Sequence, residues 1–188
     1  NIGACEPSRR YWTASASYTA KCGNGDSLTW GWMPAGIEPI SGLVLLRSSP
    51  RLVFLAAHDA TSPGGYPLSI IEFKDGVLSD QWPVSLADSP ADIEGLARLS
   101  SSRYCLINSA GTVLTFTLNE DETEATEIIR QGVAGTPWSG DSQIESLSIR
   151  KLWNQNVAIW ATRGNGATPS RIFFGVVSEG GNVFTANY

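Results

Sequence analysis

The chain has 188 residues, enough for one domain with a buried core, and only 16% of them are charged. Its formal net charge of −5 argues against nucleic acid or an anionic membrane surface as the main partner, and is compatible with a basic protein partner. Low charge combined with 19 glycines and 7 tryptophans favours an all-β, extracytoplasmic (periplasmic or secreted) protein over a cytosolic helical one.

Residues 1–36 are predicted to form an N-terminal arm that holds two of the three cysteines. We expect a disulfide between Cys5 and Cys22, with Cys105 as a buried free thiol, and this pairing implies an oxidising compartment. The alternative is that all three cysteines are reduced. A lipid anchor at Cys5 is another alternative, since Ile2-Gly3-Ala4-Cys5 resembles a bacterial lipobox. No apolar run is long enough for a signal peptide or a membrane-spanning helix, so we expect any export signal to be already missing.

The arm also contains a predicted β-hairpin. Tyr11–Tyr18 can alternate as a strand, Gly23–Asp26 is a strong turn signal, and Ser27–Met33 can form a second strand. We expect this hairpin either to close the β-structure that follows or to cover one exposed sheet edge.

From residue 37 onward the sequence repeats at intervals of roughly 50 residues. The anchors of the repeat align without gaps and are Ile40-Ser41-Gly42-Leu43, Ile93-Glu94-Gly95-Leu96 and Ile144-Glu145-Ser146-Leu147. We predict three repeats that make up one domain, residues 37–188. Their boundaries lie near residues 37–90, 91–140 and 141–188.

The middle repeat has the pattern of an antiparallel meander, because four alternating runs are separated by short polar turns. These runs are Glu94–Leu99, Arg103–Asn108, Val113–Leu118 and Ala125–Arg130. The matching later runs of the other two repeats are Leu52–Leu55, Leu68–Phe73 and Gln81–Leu86, then Val157–Trp160, Ile172–Val177 and Val183–Tyr188. The sequence therefore predicts an all-β fold of three four-stranded antiparallel meanders in a compact propeller-like arrangement.

Three blades are fewer than the four to eight that usually surround a propeller axis. Either the three sheets pack as a compact monomer, which we favour, or two chains associate to complete a six-bladed ring.

The phrase Asp92-Ile93-Glu94-Gly95-Leu96 resembles the blade motif of esterase-like phytase propellers. Arg163-Gly164-Asn165-Gly166, which follows the weaker third anchor, is similar to a neighbouring blade of that group. The resemblance implies propeller blades and, as an alternative function, a calcium-dependent phytase-like or esterase-like hydrolase. In general character the chain is also similar to periplasmic immunity proteins that neutralise cell-wall amidase effectors.

Loops on a rigid β-scaffold commonly carry function, and one end of the predicted blades collects several of them. The predicted partner-binding residues at this end are His58, Asp59, Tyr66, Asn108, Ser109, Ala110, Gly111, Arg163 and Asn165. The small polar tip Asn108–Gly111 is predicted to enter the active-site cleft of a partner enzyme.

No catalytic set is predicted, because no nucleophile-elbow sequence surrounds any serine and His58 is the only histidine. Asp92, Glu94 and Glu145, with Asp141, offer oxygen ligands for calcium as an alternative. We favour the interpretation that these acids bond neighbouring backbone amides and lock the blades together. No other cofactor is indicated.

Three functional classes follow from these residues. We favour a non-catalytic extracytoplasmic inhibitor or immunity-type protein, whose partner is a protein such as a basic secreted hydrolase. The alternatives are the calcium-dependent hydrolase and a lectin, in which exposed rings such as Trp82 and Trp138 stack on sugars.

Overall fold

The chain divides into two compact units, Asn1–Ile37 and Glu38–Tyr188. In the computed structural model, the residues described are 18–21, 27–30, 39–59, 65–75, 77–132, 143–164, 169–177 and 185–187. Over these residues the secondary structure consists of β-strands and turns without a helix. No helix there is long and apolar enough to cross a membrane.

The first unit contains an antiparallel hairpin of strands β1 (Tyr18–Lys21) and β2 (Ser27–Trp30), with Tyr18 opposite Trp30. The second strand starts at the predicted residue. The first occupies Tyr18–Lys21, so the alternation that predicted a strand over Tyr11–Tyr18 coincides with it only at its last residue. The predicted turn Gly23–Asp26 and the cysteines Cys5 and Cys22 lie outside the described residues.

The second unit contains three four-stranded antiparallel sheets, and the strands of each sheet lie side by side in chain order. Blade 1 is β3 (Ile40–Arg47), β4 (Leu52–His58), β5 (Leu68–Lys74) and β6 (Val77–Val84). Blade 2 is β7 (Ile93–Arg98), β8 (Arg103–Asn108), β9 (Thr112–Leu118) and β10 (Ala125–Gly132). Blade 3 is β11 (Ile144–Leu152), β12 (Gln155–Thr162), β13 (Ile172–Val177) and β14 (Thr185–Asn187). The predicted all-β fold of three meanders is confirmed.

The alternation of side chains along the strands reflects what covers each sheet. Strand β13 alternates strictly between exposed and buried residues, which is typical of a sheet with one covered face. Strand β8 is buried at all residues but its first. Blade 2 is therefore covered on both faces, as expected for the middle member of a stack.

Two hydrophobic cores lie between the three blades, one at each junction. The first joins blades 1 and 2 and includes Leu55 and Ile70 on one side and Leu106 and Phe116 on the other. The second joins blades 2 and 3 and consists of Leu99, Cys105, Ile107, Val113, Ile144, Ala158, Trp160, Phe173 and Val177. The expectation that Cys105 is a buried free thiol is confirmed.

Candidate functional site

One hydrogen bond recurs in all three blades and makes their loop ends equivalent. The residue that follows the second strand donates its backbone N–H to the carbonyl of the residue that precedes the first strand. The three bonds are Asp59 to Pro39 (3.2 Å), Ser109 to Asp92 (3.0 Å) and Arg163 to Gln143 (2.7 Å). Asp59, Ser109 and Arg163 therefore occupy corresponding positions.

A second set of corresponding positions lies beside the first. Ser41, Glu94 and Glu145 each stand second in the first strand of their blade, directly after Ile40, Ile93 and Ile144. We call the seven side chains gathered at this end of the blades the polar cluster. Its members are Ser41, Asp59, Asp92, Glu94, Ser109, Glu145 and Arg163.

Ser109 ties blade 2 to blade 3 within the polar cluster. Its hydroxyl donates to the carboxylate of Asp92, which has a left-handed backbone with φ of 61°. Its carbonyl accepts the N–H of Ile144 at 3.1 Å, at the start of the first strand of blade 3. Ser109 is thus held in place on both sides.

Arg163 forms a salt bridge with the carboxylate of Glu145. Its Nη2 donates to Oε2 at 2.9 Å, and its Nε lies 2.9 Å from Oε1. The guanidinium is more exposed than the carboxylate, with 63% of the Arg163 side chain and 28% of the Glu145 side chain accessible. This pair fixes the orientation of Glu145 at the edge of the cluster.

Glu94 is the electrostatically perturbed member of the polar cluster. Partial burial and the negative charges of Glu145, Asp92 and Asp59 raise its pKa to about 7, while Arg163 opposes the shift. Close to neutral pH, Glu94 is therefore divided between its protonated and ionised forms. A carboxyl in this state can donate or accept a proton, as a general acid or base does.

The calcium alternative does not fit the polar cluster. The hydroxyl of Ser109 and the guanidinium of Arg163 already bind Asp92 and Glu145, two of the three candidate ligands. Among the described residues, no three acidic, histidine or cysteine groups are arranged to hold a metal ion. Asp141 lies outside the described part of the chain.

Several predicted partner-binding residues lie beneath the surface. His58 is fully buried, and its Nε2 lies 2.7 Å from the hydroxyl of Ser69. The amide of Asn108 donates to the carbonyl of Ala91 at 3.1 Å and accepts the N–H of Thr112 at 2.7 Å. These contacts make His58 and Asn108 structural, in a place where the sequence predicted surface residues.

The remaining predicted residues are more accessible. In the turn after β8, Ala110 is exposed, Ser109 is half-buried and Gly111 is buried with a φ of 80°. Tyr66 and Arg163 are exposed, and Asn165 lies outside the described residues. The tip is therefore shallow, with Ala110 as its projecting side chain.

Of the described tryptophans, Trp82 and Trp160 do not support the lectin alternative, whereas Trp153 presents an exposed ring. Trp160 is buried and stacks on Phe173 at 5.8 Å between ring centroids. Trp82 is half-buried and donates from its indole to the carbonyl of Glu122 at 3.2 Å. Trp153 is 92% exposed at the tip of the β11–β12 hairpin, and Trp138 lies outside the described residues.

Sequence reasoning missed an apolar surface on blade 3. The register places Ile159 beside Phe174, Val157 beside Val176 and Ala161 beside Ile172, on the face opposite the core. Of these, Ile172 is 75%, Phe174 47%, Ile159 43% and Val176 40% exposed. The alternation of β13 signals that one face is covered, but it does not show that the other face is apolar and open.

No family model matches the sequence, and no curated protein sequence matches it. The structure is similar to that of a Bacteroides ovatus protein named Xyloglucan PUL GH43B, with a TM-score of 0.59 and 14% sequence identity. The match covers 92% of this chain and 36% of that protein, so the chain spans about a third of its length. This likeness is to a propeller and supports the propeller-type fold.

Proposed function

We propose that this chain is a non-catalytic protein-binding module of the inhibitor or immunity type, which presents the polar-cluster end of its blades to a basic protein partner outside the cytoplasm. The observation that carries the proposal is the internal bonding of the cluster. Asp92 and Glu145 are occupied by Ser109 and Arg163, so these acids stiffen a binding surface and are not free for chemistry.

Rigidity is useful to a binding surface because little conformational entropy is lost when the partner docks. The turn that carries Ala110 is held by Asp92, Ala91 and Ile144 through the bonds of Asn108 and Ser109. A contact centred on this turn is broad and shallow, since Asn108 and Gly111 are buried. We therefore propose that this turn inhibits the partner by covering its active-site cleft, with Ala110 at the centre of the contact, and does not insert deeply into the cleft.

Charge gives the surface its selectivity. Asp59, Asp92, Glu94 and Glu145 lie together, and Arg163 is the one cation among the seven residues of the polar cluster. Electrostatic complementarity of this kind raises the association rate with a basic partner and is screened by salt.

Capture of a partner from a periplasmic extract by the immobilised chain tests the proposal. We expect Ala110→Arg to abolish capture and Tyr66→Ala to weaken it, because both side chains are exposed at the proposed surface. Ser101→Arg is the matched control, since Ser101 is exposed in the turn at the other end of blade 2. Unchanged capture by Ala110→Arg would refute this mode of binding.

Hydrolysis is the second candidate function, and the raised pKa of Glu94 favours it. In that case Glu94 acts as a general acid without calcium, and Glu94→Gln abolishes release of phosphate or ester product. The likeness to the Bacteroides ovatus protein named Xyloglucan PUL GH43B, at 14% identity, supports the fold and not a reaction. Product release that survives Glu94→Gln would eliminate this candidate.

A further inference from the structure

A groove lies beside the outer strand of blade 1, and none of its lining residues belongs to the polar cluster. Strand β6 carries Trp82 and Pro83 near its end, and Pro83 is exposed there. Proline is tolerated at a sheet edge, where no neighbouring strand needs its N–H. The cavity has a volume of about 580 Å³, within the range of ligand-binding clefts. We call it the Trp82 groove, and its lining includes Tyr66, Pro67, Trp82, Pro83, Ser85 and Thr123.

One wall of the Trp82 groove belongs to blade 2, where Thr123 lies in the turn between β9 and β10. Ser85 of blade 1 donates its backbone N–H to the carbonyl of Thr123 at 2.8 Å, and its own carbonyl accepts the N–H of Ala125 at 2.8 Å. The indole of Trp82 donates to the carbonyl of Glu122 at 3.2 Å. Because both blades are tied together at the groove, its shape is formed before a ligand binds, which favours affinity.

Rings provide the binding surface of the Trp82 groove. Tyr66 is 41% exposed, and Trp82 packs partly against the core between blades 1 and 2 while it also lines the groove. The indole N–H and the backbone groups of Ser85 and Thr123 are already hydrogen-bonded within the protein. A sugar needs several free donors and acceptors, whereas a proline presents an apolar ring and no N–H. The lining therefore suits proline better than a sugar.

The wall from blade 2 also carries negative charge. Glu120, Asp121 and Glu124 are exposed in the β9–β10 turn, and none of them forms an ion pair with another described residue. Glu122 differs from them because it pairs with Arg47. Three unpaired carboxylates beside an apolar groove favour a ligand with a basic residue next to its apolar part, and this attraction is screened by salt.

We infer that the Trp82 groove binds an extended, proline-rich peptide segment that carries an arginine or lysine beside its prolines. The prolines lie on the rings of Tyr66 and Trp82, and the cation faces the acidic turn that holds Asp121. A polyproline II segment is already extended when free, so it loses little entropy on docking, and aromatic-lined grooves recognise such segments. Tyr66 is the one residue shared with the predicted partner-binding set, and the inference does not depend on the proposed function.

Fluorescence anisotropy with a labelled synthetic peptide tests the inference on the full chain. The peptide has about ten residues, a run of prolines followed by a pair of arginines, which spans about 30 Å as polyproline II. We expect saturable binding that weakens at least about tenfold in Trp82→Ala and about threefold in Tyr66→Ala, because each variant loses a ring from the groove. Trp153→Ala removes an exposed tryptophan from a hairpin of blade 3 and is the matched control, which should bind normally. Circular dichroism confirms that each variant is folded.

The acidic turn is tested without any change to the rings. The double variant Glu120→Gln, Asp121→Asn alters exposed side chains, and we expect it to bind the peptide about threefold or more weakly at low salt. The control pair Asp75→Asn, Glu127→Gln removes as many exposed charges from outside the groove lining and should bind normally. A peptide in which glutamates replace the arginines should not bind.

Three results would overturn the inference. The first is a wild-type chain that does not bind the proline–arginine peptide at millimolar concentration. The second is unchanged affinity in both Trp82→Ala and Tyr66→Ala, which would place the peptide elsewhere. The third is a neutral oligosaccharide such as cellohexaose that binds at Trp82 where the peptide does not. Ala110→Arg should leave peptide affinity unchanged whatever it does to partner capture, so this inference and the proposed function fail separately.

Discussion

Gly42 lies so close to Leu96 that a Cβ on the glycine would be 2.5 Å from the leucine nitrogen and 2.6 Å from its Cβ. Gly95 stands in the same relation to Leu147, one blade further along. The glycine in each of the first two anchors is therefore required by the close approach of the next blade, and the sequence repeat reflects a contact that recurs between neighbouring blades.

Substitution of Gly42 by alanine should destabilise the protein. The added methyl meets backbone, which cannot move aside cheaply, so we expect a loss of about 2–3 kcal/mol in the free energy of unfolding. Urea denaturation measures it. Ser146→Ala is the matched control at the corresponding, exposed position of blade 3 and should change stability by less than about 0.5 kcal/mol. Equal effects at the two positions would contradict the close packing of Gly42 against Leu96.

The strands could be predicted from sequence because alternation and turn residues act locally. The runs at Arg103–Asn108 and Ile172–Val177 coincide with β8 and β13. The first strand of the N-terminal arm was harder to predict. Apolar and polar residues alternate well over Tyr11–Tyr18, but the strand lies at Tyr18–Lys21. Alternation also does not reveal what covers a face, so the open apolar surface of blade 3 needed the register of β12 and β13.

The sequence was enough to predict the end of the blades at which the candidate site lies, but not the burial or hydrogen-bond partners of its side chains. The sequence placed Asp59, Ser109 and Arg163 at one end of the blades, and their shared hydrogen-bond pattern puts them there. Which side chains point inward depends on tertiary contacts. His58 packs beneath the surface against Ser69, and Ser109 donates to the carboxylate of Asp92, a residue with a left-handed backbone.

Cys105 should be chemically inert in the native protein. It is fully buried, and burial raises the pKa of its thiol far above neutrality, so the reactive thiolate is scarce. We expect iodoacetamide to modify Cys105 at least about a hundredfold more slowly in native than in urea-unfolded protein. Mass spectrometry of the peptide that contains Cys105 measures both rates. Comparable rates would show that the core between blades 2 and 3 opens readily.

Ser69→Ala should cost about 1–3 kcal/mol of stability, because it removes a hydroxyl that lies 2.7 Å from the buried imidazole of His58. Ser79→Ala is the matched control, since Ser79 is exposed and its hydroxyl bonds to Glu72 at the surface. Thermal unfolding of both variants at equal concentration provides the comparison. A neutral Ser69→Ala would mean that the imidazole does not depend on this bond.

Glu94 makes the stability of the protein depend on pH. Its pKa is about 7 in the folded chain and near 4.5 in the unfolded one, so between these values the folded state binds more protons. The contribution of Glu94 to the free energy of unfolding therefore falls as pH rises from about 4.5 to about 7, and it reaches its lowest value above that range.

Glu94→Gln should match the wild type near pH 4 and exceed it in stability at pH 8. Water reaches much of the side chain, so we expect the gain at pH 8 to stay below about 1 kcal/mol. Because other carboxyls titrate over the same range, the measured quantity is the difference between variant and wild type in urea-denaturation midpoints at each pH.

Arg163→Gln supplies the complementary test. Arg163 favours the ionised form of Glu94, so its removal should raise the pKa of Glu94, which a carbon-detected NMR titration follows directly. An unchanged pKa in Arg163→Gln, together with a Glu94→Gln difference that does not vary with pH, would show that the acids of the polar cluster do not interact.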